Sequence, residues 1–358
     1  MFQKIIRKLL KKPEFSDVTP IAVVKHQLEL IREGSDILAI CPDNTGLNWL
    51  GIKSGTIALF PKNHLLLQQY YSHSVYTESQ LMEIIEIIVT LDFKKVVFRG
   101  FPPYFDVFIR RLKTKNLASN LFVFYAGPAS EFNESSKTQN LLKIIQLQKE
   151  GVIEKIGFNK KGLAEAISEV YNVKTGRYIL KTSIKEQIPL EKKNDTIQIG
   201  VFGGNTFNKN IHSQVLAALS VPKSEVHVLD KSKFDYLPEQ NRIIGYDGYL
   251  PNDKFVKLLG SMDVNLYLAF SESWGNVITE SLSYGVPCLS TINSGVYDYD
   301  NELSEALVVQ DYDNISAIRD QIMKVYSDRN NLQNKCIDYI SQLNTLAEEK
   351  LGELLGYE

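Results

Sequence analysis

Two glutamates in one short segment have the chemistry needed to bind a sugar or a nucleotide. Glu272 and Glu280 belong to the stretch SESWGNVITESLSYGVPCLS, which follows an apolar run that predicts a strand. Serines in this stretch can cap the helix predicted after them, and Gly275 permits a ligand to approach the backbone closely. Free amides and the positive dipole end at such a helix start suit a diphosphate or a sugar hydroxyl.

A glycine-rich loop with a lysine lies between another predicted strand and helix. It reads GGNTFNKN from Gly203 to Asn210. Its two glycines let the backbone approach a phosphate, and Lys209 lies where its ammonium group can reach back over that phosphate. Alone, this loop would be interpreted as a glycine turn with a solvated lysine, but the downstream glutamates favour a functional lysine.

The glutamate segment resembles the signature of retaining group 1 glycosyltransferases, in which two glutamates separated by seven residues precede a GVP turn. The spacing, the intervening glycine and the turn Gly285–Pro287 agree in order. The resemblance implies that Glu272 contacts the transferred sugar and that Glu280 holds the nucleotide ribose. The donor-binding residues that it implies are Gly203, Gly204, Asn205, Lys209, Ser273, Trp274, Gly275, Asn276, Val277 and Glu280.

The glycine loop resembles the phosphate-binding loop of the same family, whose lysine stabilises the departing nucleoside diphosphate. The resemblance therefore implies Lys209 and Glu272 as the catalytic residues. Many members carry an arginine shortly before that lysine, whereas this sequence has uncharged Asn205 and Thr206 there. Relatives often carry a histidine near the reaction centre, but Ala126 occupies the matching position and no catalytic histidine is predicted.

Loops of the first half are the expected acceptor side of the site. A glycine-bearing loop follows the first predicted strand, and a second loop follows the strand that ends in Arg99. The predicted acceptor-side residues are Asn44, Thr45, Gly46, Arg99 and Tyr104. The basic turn Lys160–Gly162 is interpreted as a solvated turn ahead of a helix, with a role at the edge of the cleft as the alternative.

The two glutamates could instead be the acid and base of a glycosidase. Eight helical residues advance about 12 Å, whereas glycosidase carboxylates lie about 5–5.5 Å apart for retention or about 6.5–9.5 Å apart for inversion. The spacing therefore favours transfer over hydrolysis.

Alternation of strand-like and helical patterns predicts an α/β protein with parallel sheets. Among the strands predicted are Asp36–Cys41, Val96–Arg99, Thr196–Phe202 and Val264–Phe270, together with Thr56–Phe60 and Ala306–Val309. The resemblance implies the GT-B fold, two Rossmann-like domains facing a central cleft, with C-terminal helices crossing back to the first domain. The expected domains are an acceptor domain at 16–185, a nucleotide-sugar domain at 186–335 and a returning helix at 336–358.

Composition is that of an ordinary globular protein. The 358 residues carry a net charge of −2, so no global field would recruit nucleic acid, and no nucleic-acid partner is expected. Three scattered cysteines without a zinc-binding spacing favour a reducing, cytoplasmic location. No metal or other cofactor is expected, since the donor sugar nucleotide is a co-substrate and no Asp-x-Asp motif marks a metal site.

Residues 1–15 form a separate unit, predicted to be a short basic amphipathic helix. Phe2, Ile5, Ile6, Leu9 and Leu10 fall on one stripe, lysines and Arg7 lie on the other side, and Pro13 ends the segment. Such a helix either binds an anionic membrane surface through residues 1–12, which would make the protein peripheral on the inner face of the plasma membrane, or packs on its own protein.

The sequence thus predicts a retaining, metal-independent transferase that moves a sugar from a nucleoside diphosphate sugar to a glycan or lipid-linked glycan of the cell envelope. A UDP-sugar is the expected donor. Two alternatives stay open. One is a nucleotide-sugar 2-epimerase, which needs further acid and base residues, and the other is a non-catalytic GT-B partner subunit.

If the N-terminal helix binds membrane, deletion of residues 1–15 abolishes binding to anionic liposomes at low salt. Co-sedimentation of the full and truncated chains with anionic and neutral vesicles measures this. Equal sedimentation of both chains with anionic vesicles would reject the membrane role.

Overall fold

The computed structural model describes residues 18–44, 50–70, 73–186, 196–204, 206–246, 248 and 250–357. The predicted helix of residues 1–15 lies outside these ranges, as do Thr45, Gly46 and Asn205, and the side chain of Asn44 is not described either. The chain divides into two compact units. The first contains residues up to 124 with 139–156, and the second contains 125–138 with the residues from 157 onward.

A first sheet has parallel strands at its centre. In chain order, the strands of this sheet and the helices that precede or connect them are α1 (Ile21–Gly34), β1 (Ile37–Asn44), α2 (Leu50–Leu59), β2 (His64–Tyr70), β3 (His73–Ser74), α3 (Glu78–Thr90), β4 (Lys95–Arg99), α4 (Tyr104–Lys115), β5 (Asn120–Tyr125), α5 (Ser135–Lys149), β6 (Lys155–Phe158), α6 (Leu163–Tyr171) and β7 (Thr175–Arg177). The strand order is β3-β2-β1-β4-β5-β6-β7. Strand β1 pairs in parallel with β2 and β4, and only the short β3 is shown antiparallel, to β2. Successive residues Leu38–Cys41 are fully buried, as expected of a strand covered on both faces.

A second sheet lies in the second unit. Its elements are β8 (Ile197–Val201), α7 (Ile211–Leu219), β9 (Ser224–Val228), β10 (Ile243–Gly245), α8 (Asn252–Gly260), β11 (Val264–Tyr267), α9 (Asn276–Leu282), β12 (Cys288–Ser290), α10 (Asn301–Leu307) and α11 (Ile315–Leu355). Its strand order is β10-β9-β8-β11-β12, and every pair is parallel. The alternation of strands and helices predicted from the sequence is thus confirmed in both halves of the chain.

The last helix, α11, is 41 residues long and packs along the second unit. In its first half Arg329 lies 3.4 Å from Asp263, the residue before β11, and near its end Leu354 packs against Gly176 of β7. Within the described residues, no helix is long and apolar enough to cross a membrane. The three cysteines are free and buried.

Two predicted strands are wrong. Residues 56–60 belong mostly to α2, where the Thr56 hydroxyl donates to the Ile52 carbonyl one turn earlier at 2.7 Å. Residues 306–309 contain the end of α10, and only Val308 forms a bridge, to Ser290. In both cases a short apolar run was compatible with a strand or with a buried helix, and hydrophobicity alone could not decide between them.

Close packing in the second sheet requires a glycine in β8. Gly200 is paired with Asn265 of β11 and His227 of β9. A Cβ atom at Gly200 would lie 2.1 Å from Asn265 Oδ1 and 2.3 Å from Phe202 Cε2. Asn265 cannot move away freely because it is fully buried and its Nδ2 donates to Leu259 O at 3.0 Å and Ser281 Oγ at 2.7 Å.

We expect Gly200→Ala to lower the free energy of unfolding by about 1–3 kcal/mol, the usual cost of overpacking a core. Urea denaturation followed by circular dichroism measures this change. Gly34→Ala is the matched control, since a Cβ at Gly34 would meet no atom within 4 Å. Equal stability of the two variants would contradict the packing described here.

Candidate active site

The order of strands in the second sheet places two loops side by side. Strand β8 lies between β9 and β11, so the chain leaves β8 in one direction and later returns on its other side. Loops after the carboxyl ends of strands at such a reversal form the usual ligand crevice of open α/β sheets. Lys209 lies in the loop after β8, and Glu272 lies in the loop after β11.

The structure brings Lys209 and Glu272 into direct contact. The Lys209 ammonium group pairs with Glu272 Oε2 and lies 2.8 Å from the hydroxyl of Tyr267, the last residue of β11. Tyr267 donates to the same carboxylate oxygen at 2.6 Å, and the Ser273 amide donates to Oε1 at 2.9 Å. Glu272 is only 9% exposed, so these contacts hold one carboxylate in a single orientation.

Lys209, Tyr267 and Glu272 form a cluster, and burial and the ion pair together determine the protonation states of Tyr267 and Glu272. Burial alone would raise the pKa of Glu272, but the Lys209 charge and the hydrogen bonds to the carboxylate outweigh burial and lower this pKa below its ordinary value. Burial and the neighbouring Glu272 carboxylate raise the pKa of Tyr267 well above its ordinary value. The cluster therefore contains an ionised carboxylate and a protonated tyrosine that donates to it.

Both glycines of the lysine loop lie beside β8 as predicted, in different environments. A Cβ at Gly203 would lie 2.9 Å from Ile211 Cγ2 and 3.2 Å from Lys209 Cβ, whereas Gly204 is exposed and its Cβ would meet nothing. Gln214 in α7 donates to the Lys209 carbonyl at 2.7 Å. Its Oε1 accepts from the Leu268 amide at 3.0 Å, so it ties the lysine loop to the loop that carries Glu272.

The backbone at the start of α9 has a conformation that favours glycine. Gly275 has φ +88°, a left-handed conformation, and a Cβ there would lie 2.8 Å from Ile278 Cδ1. Helix α9 begins at Asn276, the next residue, and Val277 packs against an apolar cluster that includes Val286.

Trp274 is buried to 1% exposure, and its indole Nε1 has no hydrogen-bond partner in the described part of the chain. The side chain is therefore fixed in the core beside Glu272, and its backbone carries the loop into α9.

Glu280 lies on α9 in a different environment from Glu272. Its side chain is half-buried, and burial raises its pKa to about 7, although Lys185 partly offsets the shift. Its charge acts on Tyr267, whose pKa it raises. Glu280 is therefore close enough to influence the Lys209–Glu272 cluster but is not bonded to it.

The predicted acceptor-side residues belong to the first unit. Asn44 ends β1 and Arg99 ends the adjacent β4, so both lie at the carboxyl edge where the order of the first sheet reverses. Arg99 is fully buried and lowers the pKa of the Cys41 thiol, a shift that burial outweighs. Tyr104 begins α4, and burial raises the pKa of its hydroxyl, which has no accessible surface. Arg99 and Tyr104 thus both lie near Cys41.

Two side chains near the cluster make contacts that the sequence did not indicate. Tyr267 stands in the strand VNLYLAF, where an aromatic residue is ordinarily a core residue. Lys160 was interpreted as part of a solvated turn, but its side chain is half-buried and donates to the Asn293 carbonyl. Within the described ranges, no three His, Cys, Asp or Glu side chains are placed to hold a metal ion together.

Residues 182–343 match the family model described as glycosyl transferases group 1. Comparison with curated protein sequences finds no match. Among solved structures, the chain is similar to WaaG, a glycosyltransferase involved in lipopolysaccharide biosynthesis. That similarity has a TM-score of 0.62 and 14% identity and covers 89% of this chain and 100% of WaaG.

Two further structures are similar over most of the chain. One is described as trehalose-6-phosphate from E. coli bound with UDP-2-fluoro glucose, with a TM-score of 0.61, 10% identity and coverage of 90% of this chain and 99% of that chain. The other is a trehalose-6-phosphate synthase studied for glycosyltransfer with retention. Its TM-score is 0.61 and its identity is 11%, and the similarity covers 89% of this chain and 99% of that chain. The chain therefore has the GT-B fold, and its second half carries a domain that matches the group 1 glycosyl transferases.

Proposed function

We propose that the protein transfers a sugar from a nucleoside diphosphate sugar to a hydroxyl of a glycan or lipid-linked glycan of the cell envelope, with retention and without a metal ion. The observation that carries this proposal is the cluster of half-buried Lys209 with buried Tyr267 and Glu272 at the carboxyl edge of β8 and β11. A cation and an oriented carboxylate at this edge suit a phosphate and a sugar hydroxyl, respectively.

In the proposed reaction the bond between the anomeric carbon and the donor phosphate breaks, and its electron pair stays on the phosphate oxygen. The acceptor oxygen bonds to the anomeric carbon on the same face, and its proton passes to the departing phosphate, so no protein base is needed. Negative charge grows on the diphosphate as this happens. Lys209 and the amides near Gly203 and Gly275 are preorganised to stabilise that charge.

These protein groups would take the part that a divalent ion takes in other transferases, which is why we propose that no metal is required. Glu272, held by the Ser273 amide and Tyr267, would accept a hydrogen bond from the transferred sugar. Glu280 would hold the ribose, while the backbone from Ser273 to Val277 would contact sugar and phosphate.

Three features of the similar proteins support the finer parts of the proposal. The E. coli trehalose-6-phosphate structure is bound with UDP-2-fluoro glucose, which makes UDP the first nucleoside diphosphate to test. The study of a trehalose-6-phosphate synthase concerns retention, and WaaG takes part in lipopolysaccharide biosynthesis. In this proposal residues 16–185 bind the acceptor through Asn44, Thr45, Gly46, Arg99 and Tyr104, and residues 186–335 bind the donor.

Lys209→Ala is expected to lower kcat by roughly 10²–10³-fold, the usual effect of removing one key donor to a developing anion. Initial rates of sugar transfer from a radiolabelled nucleotide sugar measure this loss. Lys254→Ala, which removes an exposed lysine of α8, is the matched control. Near-normal transfer by Lys209→Ala would refute the role of this lysine.

Because Lys209→Ala leaves the buried Glu272 carboxylate without its counter-ion, part of any loss could come from unfolding. The double variant Lys209→Met, Glu272→Gln removes both charges together. We expect it to recover the melting temperature lost in Lys209→Ala but not the transfer rate, whereas recovery of both would assign the pair a purely structural role.

Donor affinity should rise about tenfold between pH 6 and pH 8, because the pKa of Glu280 is about 7 and the charged carboxylate is the better acceptor for ribose hydroxyls. An intact nucleotide sugar is the right probe for calorimetry, since both of its phosphates are esterified and neither titrates near neutrality. Glu280→Gln should bind with a flat pH profile. A wild-type profile that is equally flat would contradict the proposed role of Glu280.

The raised pKa of Glu280 also makes the stability of the free protein depend on pH. A raised pKa in the folded state contributes stability below the ordinary pKa of 4.5, and this contribution is lost as the pH rises through about 7. The melting temperature of Glu280→Gln relative to the wild type should therefore increase between pH 5 and pH 8.

A further inference from the structure

A second lysine is connected to the Lys209–Glu272 cluster through the backbone of three loops. The Lys160 ammonium group, just after β6, donates to the carbonyl of Asn293, in the loop after β12. Asn293 Nδ2 donates to the Phe270 carbonyl at 3.0 Å, and the Phe270 amide donates to the Asn208 carbonyl at 2.8 Å. Phe270 lies two residues before Glu272 and Asn208 one residue before Lys209, so this chain of hydrogen bonds ends at the candidate active site.

The charge of Lys160 is held near the cluster, and among the residues that the structure describes it forms no ion pair. Its partner is a neutral carbonyl, whereas the neighbouring Lys161 lies 3.0 Å from Asp298 and Arg177 lies 3.7 Å from the same carboxylate. Burial lowers the pKa of Lys160, and the Glu272 carboxylate acts against that shift. Lys160 is therefore a partly desolvated cation within the electrostatic reach of Glu272.

The cluster alone has too little positive charge for the proposed donor. Glu272 already neutralises Lys209, and the diphosphate of a nucleotide sugar brings further negative charge beside the same carboxylate. In a partly buried site each uncompensated charge is costly, so another cation is required or the donor binds weakly. The segment at Asn205 and Thr206 does not supply one, because neither side chain is charged.

We propose that Lys160 is the second cation that binds the donor diphosphate, opposite Lys209. This inference rests on the proposed function and adds a residue to its site. Sequence order would assign Lys160 to the acceptor half, yet it belongs to the same compact unit as Glu272. Its ammonium group exchanges the Asn293 carbonyl for a phosphate oxygen and lowers the energy of the departing diphosphate, with no proton transferred.

The experiment measures binding of a nucleoside diphosphate and of the matching nucleoside by calorimetry. UDP, GDP, ADP, CDP and dTDP are compared on the wild type, and the tightest is used further. We expect Lys160→Met to weaken binding of the diphosphate about tenfold or more, which corresponds to about 1.4 kcal/mol, and to leave nucleoside binding unchanged. Lys160→Arg should retain diphosphate affinity within a few-fold, because it keeps the charge.

Lys161→Met is the matched control, since it removes the adjacent, exposed lysine and should leave both affinities unchanged. Equal diphosphate affinity of Lys160→Met and wild type would overturn the inference while leaving the proposed function intact. Parallel loss of diphosphate and nucleoside affinity in Lys160→Met would also overturn it, since a structural role explains that result. If no nucleoside diphosphate binds the wild type, the proposed function itself fails, and the inference fails with it.

Discussion

The ion pair between Lys209 and Glu272 is the interaction on which the candidate site depends. Removing both charges from water is expensive, and a buried pair of this kind is seldom retained for stability alone. Here the carboxylate also accepts from Tyr267 and from the Ser273 amide, so its lone pairs are used and its orientation is fixed. The Lys209 nitrogen lies 5.1 Å from the centre of the Tyr267 ring, which adds a further favourable contact for the cation. The charged site is thus already organised in the free protein, and the desolvation of its charges lowers the stability of the folded state.

Sheet topology explains why residues more than sixty positions apart meet in this way. Strands β8 and β11 are neighbours and parallel, so the loops after them emerge at the same edge. Gln214 and Asn208 then join the two loops through hydrogen bonds to the Leu268 amide and the Ser271 carbonyl. The positions of Lys209 and Glu272 are therefore set by backbone pairing within one unit and need no flexible adjustment of either loop.

Secondary structure could be predicted from the sequence where a pattern of residues was compatible with only one kind of element. Fully apolar runs such as Leu38–Cys41 indicated central strands. Short apolar runs such as Thr56–Phe60 could not be assigned, because tertiary packing decides between helix and strand there. The contacts of Tyr267 and Lys160 could not be predicted for a related reason. Their roles depend on which loops the fold brings beside them, and neither residue stands in a recognisable motif.

The two glutamates show what spacing can and cannot establish. They lie eight residues apart in one segment, but the structure gives them opposite electrostatic environments. Glu272 has a cation in contact and a pKa below its ordinary value, whereas burial raises the pKa of Glu280 to about 7 and the charge of Lys185 only partly offsets that shift. Groups whose environments separate their pKa values in this way usually have separate roles. A permanently charged carboxylate suits a fixed contact to the transferred sugar. A carboxylate that titrates near neutrality suits a hydrogen bond whose strength changes with pH, as contact with a ribose hydroxyl would. The separate roles that the motif implies for Glu272 and Glu280 therefore have a physical basis. Both carboxylates lose part of their contact with water, but only Glu272 is in contact with Lys209.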